Sequence, residues 1–155
     1  MKISVLLPYK ENFSPDYPGA VSIFINDTLN HSKFKKNITV FGSTNYKKKF
    51  YHNYINLSPK NNILQSQNKK YVQEFKKYEI KKQSDLIEVH NRPSYIRYIH
   101  DLSKKTKLIL YFPNDPLSMN GSKYAYQRKY LLEKCEKIIF NSNWSKNRFI
   151  SNLNL

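Results

Sequence analysis

Two arrangements of apolar residues take turns along the chain. Residues 2–8, KISVLLP, are apolar on both faces of an extended segment, as in a buried parallel strand. A loop rich in Pro, Asp and Gly follows at 11–19, and then Val21, Phe24, Ile25 and Leu29 recur at helical spacing. The alternation repeats to the end. Strands are predicted at 37–42 (closed by Gly42), 54–57 (ended by Ser58-Pro59), 85–89, 107–112 and 137–141. Helices are predicted at about 67–83, 92–104, 121–135 and 143–151. In the first of these, Tyr71, Val72, Phe75 and Tyr78 share a face and lysines cover the other. Pro93 suits a first helical turn, where a missing N–H costs nothing, and Ser142 or Asn143 can cap the last helix. Alternation of this kind predicts an α/β fold. The sheet is expected to be parallel, doubly wound and Rossmann-like, with about six strands and helices on both faces.

The length of 155 residues is that of about one domain, and 1–155 is read as a single unit. An apolar content of 39% with 15% aromatics can fill a core and argues against disorder. Cys135 stands alone, so it forms no internal disulfide and completes no zinc site; it reads as a small buried hydrophobe suited to a reducing compartment. His31, His52, His90 and His100 have no ligand-type partners at helical spacing, so no metal is expected. The apolar stretch 108–112 falls far short of the roughly 20 residues of a membrane span. The opening MKISVLLPYKEN is too short in its apolar part for a signal peptide. The net charge of +16 leaves three readings open. One is a composition rich in Lys, Asn, Ile and Tyr; one is an anionic membrane surface; one is nucleic acid. The last is the least favoured, because the lysine pairs are scattered over several elements. The ending NRFISNLNL, soon after the last strand, suggests a cut from a longer protein, with a complete small domain as the alternative.

Open parallel sheets bind ligands beyond the carboxyl ends of their strands, so the residues just after each strand are the candidates for chemistry. After the first strand stand Tyr9, Lys10, Glu11 and the loop to Pro18-Gly19-Ala20, whose glycine and following helix start could meet an anion. After the fourth stand His90, Asn91 and Arg92: a titratable imidazole, an amide and a fixed cation, suited to sugar hydroxyls or phosphate oxygens. After the fifth stand Pro113, Asn114 and Asp115, the last a carboxylate able to act as a base. After the sixth stand Asn141, Ser142, Asn143 and Trp144. Each has a plain structural alternative in a turn or a cap.

Five stretches together resemble the N-terminal, acceptor-side domain of a family-4-like GT-B glycosyltransferase. They are KISVLLP, PGAVSIFINDTL, SDLIEVHNRPSYI, KLILYFPNDPLSM and CEKIIFNSNWSKNRF, in the family's order and over nearly the whole chain. The resemblance implies the acceptor-binding half of a retaining glycosyltransferase, moving a sugar from a nucleotide sugar to a glycan or lipid-linked acceptor. By this resemblance the C-terminal nucleotide-sugar domain is expected to lie outside these 155 residues, and this half alone is expected to be inactive. It implies no cofactor beyond the nucleotide sugar as donor substrate. It places the protein in polysaccharide or lipopolysaccharide biosynthesis, in the cytoplasm and at the inner face of the membrane. By the same resemblance His90 and Asp115 are the catalytic candidates, and Gly19, Ala20, Asn91, Arg92 and Asn114 the substrate-binding ones. Pro18 stands where a first glycine is usual, and Pro113 where a histidine is usual. The alternatives are a basic nucleic-acid-binding module or another small nucleotide-binding α/β domain.

Overall fold

Six strands assemble into one all-parallel sheet, the inner four carrying buried branched or aromatic side chains and the two edge strands only partly buried ones. The computed structural model describes residues 1–59 and 65–153, so Asn154 and Leu155 of the closing stretch lie outside it. The strands are β1 (Ile3–Leu6), β2 (Ile38–Gly42), β3 (Tyr54–Asn56), β4 (Leu86–His90), β5 (Lys107–Phe112) and β6 (Lys137–Phe140), lying side by side in the order β3-β2-β1-β4-β5-β6. The helices are α1 (Ala20–His31), α2 (Gln67–Lys82), α3 (Ile96–Ile99), α4 (Ala125–Lys134) and α5 (Asn143–Ile150). The fold is the doubly wound, Rossmann-like α/β arrangement that the alternation predicts.

The two faces are covered unequally. On one, Tyr71, Val72 and Phe75 of α2, Ile96 and Ile99 of α3, Leu131 of α4 and Phe149 of α5 pack on alternate residues of the sheet. On the other, α1 works alone, laying Val21, Ile25 and Leu29 over β1 and β2. The second face of β4–β6 carries no helix among the described residues. It shows in the burial pattern of β5, where Leu108, Leu110 and Phe112 are buried while Lys107, Ile109 and Tyr111 are not. Phe24, expected in the core with its helix-mates, is 50% exposed at the flank of α1 that overlooks this open half.

Two expected helices are shorter than their patterns. The stretch 92–104 folds as a turn at Pro93–Tyr95, then α3, then irregular chain. Ser103 ends it: its hydroxyl accepts the Lys105 N–H and its carbonyl the Thr106 N–H, offering the backbone an alternative to the helix. The stretch 121–135 begins its helix at Ala125, because Gly121 has φ +97° and an added Cβ there would lie 2.5 Å from the Ser94 nitrogen. Cys135 sits just past α4, half-buried and free, and burial pushes its thiol up to about 12. It is therefore a poor nucleophile.

Candidate functional site

The parallel register aligns side chains in rows across the sheet. At the carboxyl end of the open half, His90 of β4 pairs with Tyr111 of β5, and Tyr111 with Ile139 of β6. This row floors a cleft of about 450 Å³. Ala20, Val21 and Phe24 of α1 form one wall, and Asn91, Asn114 and Asn141 stand at the strand tips. Glu11 closes the end beside α1.

The floor is aromatic and preorganised. The His90 ring stacks on Tyr111 with centroids 4.3 Å apart and planes 12° apart. Phe24 tilts over both, at 6.1 Å from His90 and 6.0 Å from Tyr111. His90 is only 2% exposed, and its Nε2 has no hydrogen-bond partner among the described residues, although Glu88 Oε2 lies 3.5 Å away. Glu88 lies two residues before His90, hence on the same open face. Burial, helped by the charge of Glu88, pushes the Tyr111 phenol up to about 12. Tyr111 is thus a neutral hydroxyl at physiological pH.

The tips are tied to one another. Asn91 adopts φ +54°, a conformation that asparagine tolerates well, and its N–H donates to Tyr111 O at 2.9 Å. Asn114 Nδ2 donates to Asn91 Oδ1 at 3.3 Å, and Asn141 Nδ2 to Pro113 O at 2.8 Å. The Ser145 hydroxyl donates to Asn141 Oδ1 at 3.1 Å. Behind the cleft, the Tyr95 hydroxyl receives the Tyr9 N–H at 3.1 Å and donates to Asn68 Oδ1 at 2.8 Å, fixing the chain where it leaves β1.

Of the catalytic and substrate-binding candidates, His90, Asn91, Asn114 and Ala20 line the cleft, together with the strand-tip residues Glu11, Pro113 and Asn141. Three others do not. Asp115 caps the turn Pro116–Ser118 through Leu117 N–H at 3.0 Å and binds Arg148, whose Nη2 donates at 2.9 Å and Nε at 3.3 Å. The Arg148 guanidinium holds the Asp115 carboxyl below the ordinary carboxylate range, which suits a structural anchor and not a base. Arg92 turns its Nη1 back to the carbonyl of Asn91 at 2.8 Å. Gly19 makes room for the protein's own carboxylate: an added Cβ would fall 2.0 Å from Glu11 Oε1, which accepts the Ser22 N–H at 3.0 Å. Glu11 thereby fills the anion position at the start of α1, where a phosphate was expected.

Phe24, Glu88, Tyr111 and Ile139 lie inside their helix or strands and are not among the strand-tip candidates of the sequence, whereas Glu11 is. The one signal available was Glu88, a carboxylate inside an otherwise apolar strand, which marks a face that is not sealed. Among the described residues no group of three His, Cys, Asp or Glu side chains could hold a metal ion, and no helix is long and apolar enough to cross a membrane. No family model matches the chain, and no curated protein matches it.

Proposed function

We propose that this protein is the acceptor-binding half of a retaining glycosyltransferase, which moves a sugar from a nucleotide sugar to a glycan or lipid-linked acceptor. The observation that carries the reading is the cleft itself. It joins an aromatic floor, His90 on Tyr111 under Phe24, to a rim of three asparagine side chains. Sugar rings present C–H faces that pack on aromatic and apolar surfaces, and hydroxyls that amides can both donate to and accept from. The cleft volume of about 450 Å³ suits one or two such rings. The motifs carrying the family resemblance end at this rim. In this reading Asn91 and Asn114 orient the ring, the buried His90 ring backs Tyr111 beneath it, and Asp115 serves only to hold the rim to α5. The donor nucleotide belongs to a second domain facing the same strand edge, and the lysine-rich surface rests on anionic lipid.

The test is ligand binding by the isolated chain, followed by amide resonances in NMR. Simple hexosides should shift the side-chain amides of Asn91, Asn114 and Asn141, and Asn114→Ala should weaken that binding about tenfold, as loss of a ligand hydrogen bond does. Shifts of the same amides by mononucleotides, with none from sugars, would move the assignment to a nucleotide-binding domain.

A further inference from the structure

The protein has 27 Lys and Arg against 11 Asp and Glu. Yet none of the Lys or Arg among the described residues lines the cleft, and its one carboxylate is Glu11. A second carboxylate, Glu88, lies against the floor, 3.5 Å from His90 Nε2. The cations closest in sequence to the rim are turned elsewhere. Arg92 is on the carbonyl of Asn91, Arg148 is on Asp115, and Lys10 Nζ lies 5.7 Å from the Tyr9 ring. Lysines spread over a surface by composition alone would be expected to reach a groove of this size. Their exclusion makes the cleft a local inversion of the protein's sign. A phosphate, a sulfate or a uronate would enter it against one carboxylate and beside another. A protonated amine would meet Glu11 in the cleft, with the charge of Glu88 nearby, and the exposed ring of Phe24 would add cation–π attraction.

We propose that the cleft selects sugar rings without negative charge and favours those bearing an amino group, with Glu11 as the residue that sets the ranking. The selection rests on the cleft being a sugar site. Glu11 is suited to the role because the Ser22 N–H engages Oε1 and holds the carboxylate in place at the cleft end, so that Oε2 meets a ligand donor with little ordering cost.

The experiment compares three matched methyl glycosides, of glucosamine, glucose and glucuronic acid, by amide shifts of Asn91, Asn114 and Asn141. It is run at about pH 6, where the amine and the uronate are both ionised. Affinity should fall in that order by about threefold or more at each step, the effect of one partly screened charge. Glu11→Gln retains an oxygen for the Ser22 N–H and should bring the amine and neutral sugars to within about twofold of each other. A glucuronide that binds as well as the glucoside, or an amino sugar with no advantage, overturns the proposal and leaves the sugar site standing. An unchanged amine preference in Glu11→Gln overturns the role of Glu11. Absence of binding by all three removes the sugar site and the proposal together.

Discussion

Glu79 lies 3% exposed on the buried side of α2, where a helical pattern of aromatics and lysines gives no hint of a carboxylate going inward. Donors account for its place. The Ser4 hydroxyl of β1 donates to Oε1, and Ser84, just before β4, donates its N–H to Oε2 at 3.2 Å and its hydroxyl to Oε1 at 3.2 Å. Lys82 Nζ in turn donates to the Ser4 hydroxyl at 3.0 Å. One side chain thus locks the end of α2 to the two central strands. Glu79→Leu removes the acceptor; the Ser4 and Ser84 hydroxyls, 2.9 Å apart, can still pair, which leaves one hydroxyl and the Ser84 N–H unmet, so urea unfolding should show a loss of about 3 kcal/mol, and Glu79→Gln a loss of about 1 kcal/mol. A Leu variant as stable as the parent would mean that water reaches the two serines. The contrast with Tyr71 shows what can be read from a sequence at this scale. Its burial follows from spacing alone, but its bonds to the carbonyls of Leu7 and Phe41, at 3.0 and 3.3 Å, depend on which strand tips the fold brings beneath it. For the same reason His90 was legible as a strand-tip residue, whereas Tyr111 was not. In sequence Tyr111 is an aromatic inside a strand, and only the register makes it a floor.

At the scale of elements, the period-2 and period-3.6 patterns located all six strands to within about two residues at each end, because each must bury a continuous apolar face. They failed where an element ends for a reason other than hydrophobicity. Ser103 keeps the chain beyond α3 out of helix and Gly121 delays α4, both through local backbone chemistry. They also failed to place α1 correctly in relation to its neighbours. Phe24 satisfies the helical pattern, but α1 covers β1 and β2 alone, so that position faces the cleft. The tie between α5 and the turn Pro116–Ser118 was invisible for another reason, since Asp115 and Arg148 are 33 residues apart. Its pH dependence follows from sign. Arg148 lowers the Asp115 carboxyl below its ordinary 3.8, so the pair contributes fully above that value and its contribution is lost as pH falls through the lower folded value. Thermal unfolding of Asp115→Asn should therefore lie below the parent at neutral pH and converge with it in strong acid, once the pH has fallen below the lowered folded value. A difference that stayed constant down to that acidity would assign the loss to the Leu117 N–H cap instead.

For the whole molecule the sign of the charge is uneven, and this bears on where the protein resides. Acidic residues engage a few lysines: Lys48 with Asp16, Lys76 with Asp101, Lys77 with Glu74 and Lys107 with Glu136. Eleven acidic residues cannot match 27 basic ones, and apart from the buried Lys70 and Arg128 the basic side chains are at least partly exposed among the described residues. Part of the excess lies on α2, where Tyr78 is 45% and Ile80 59% exposed beside Lys77 and Lys81. Lysines interleaved with exposed apolar side chains on one helix suit the headgroup region of a bilayer, where the rings and methyls enter and the ammonium groups meet anionic lipid. Composition alone makes a different forecast, attraction that depends on total charge and not on where it sits. Two double variants separate them. Lys77→Glu with Lys81→Glu changes α2, and Lys104→Glu with Lys105→Glu makes the same change in net charge in the exposed chain between α3 and β5. If α2 docks, co-sedimentation with vesicles of mixed zwitterionic and anionic lipid should fall about tenfold or more in the α2 variant. It should change little in the other, since each lysine at the surface contributes about 1 kcal/mol. Binding by the parent should weaken as salt shortens the Debye length from about 10 Å at 0.1 M to about 3 Å at 1 M. Equal losses in the two variants would leave the lysines as composition, with no face of the protein set aside for a membrane.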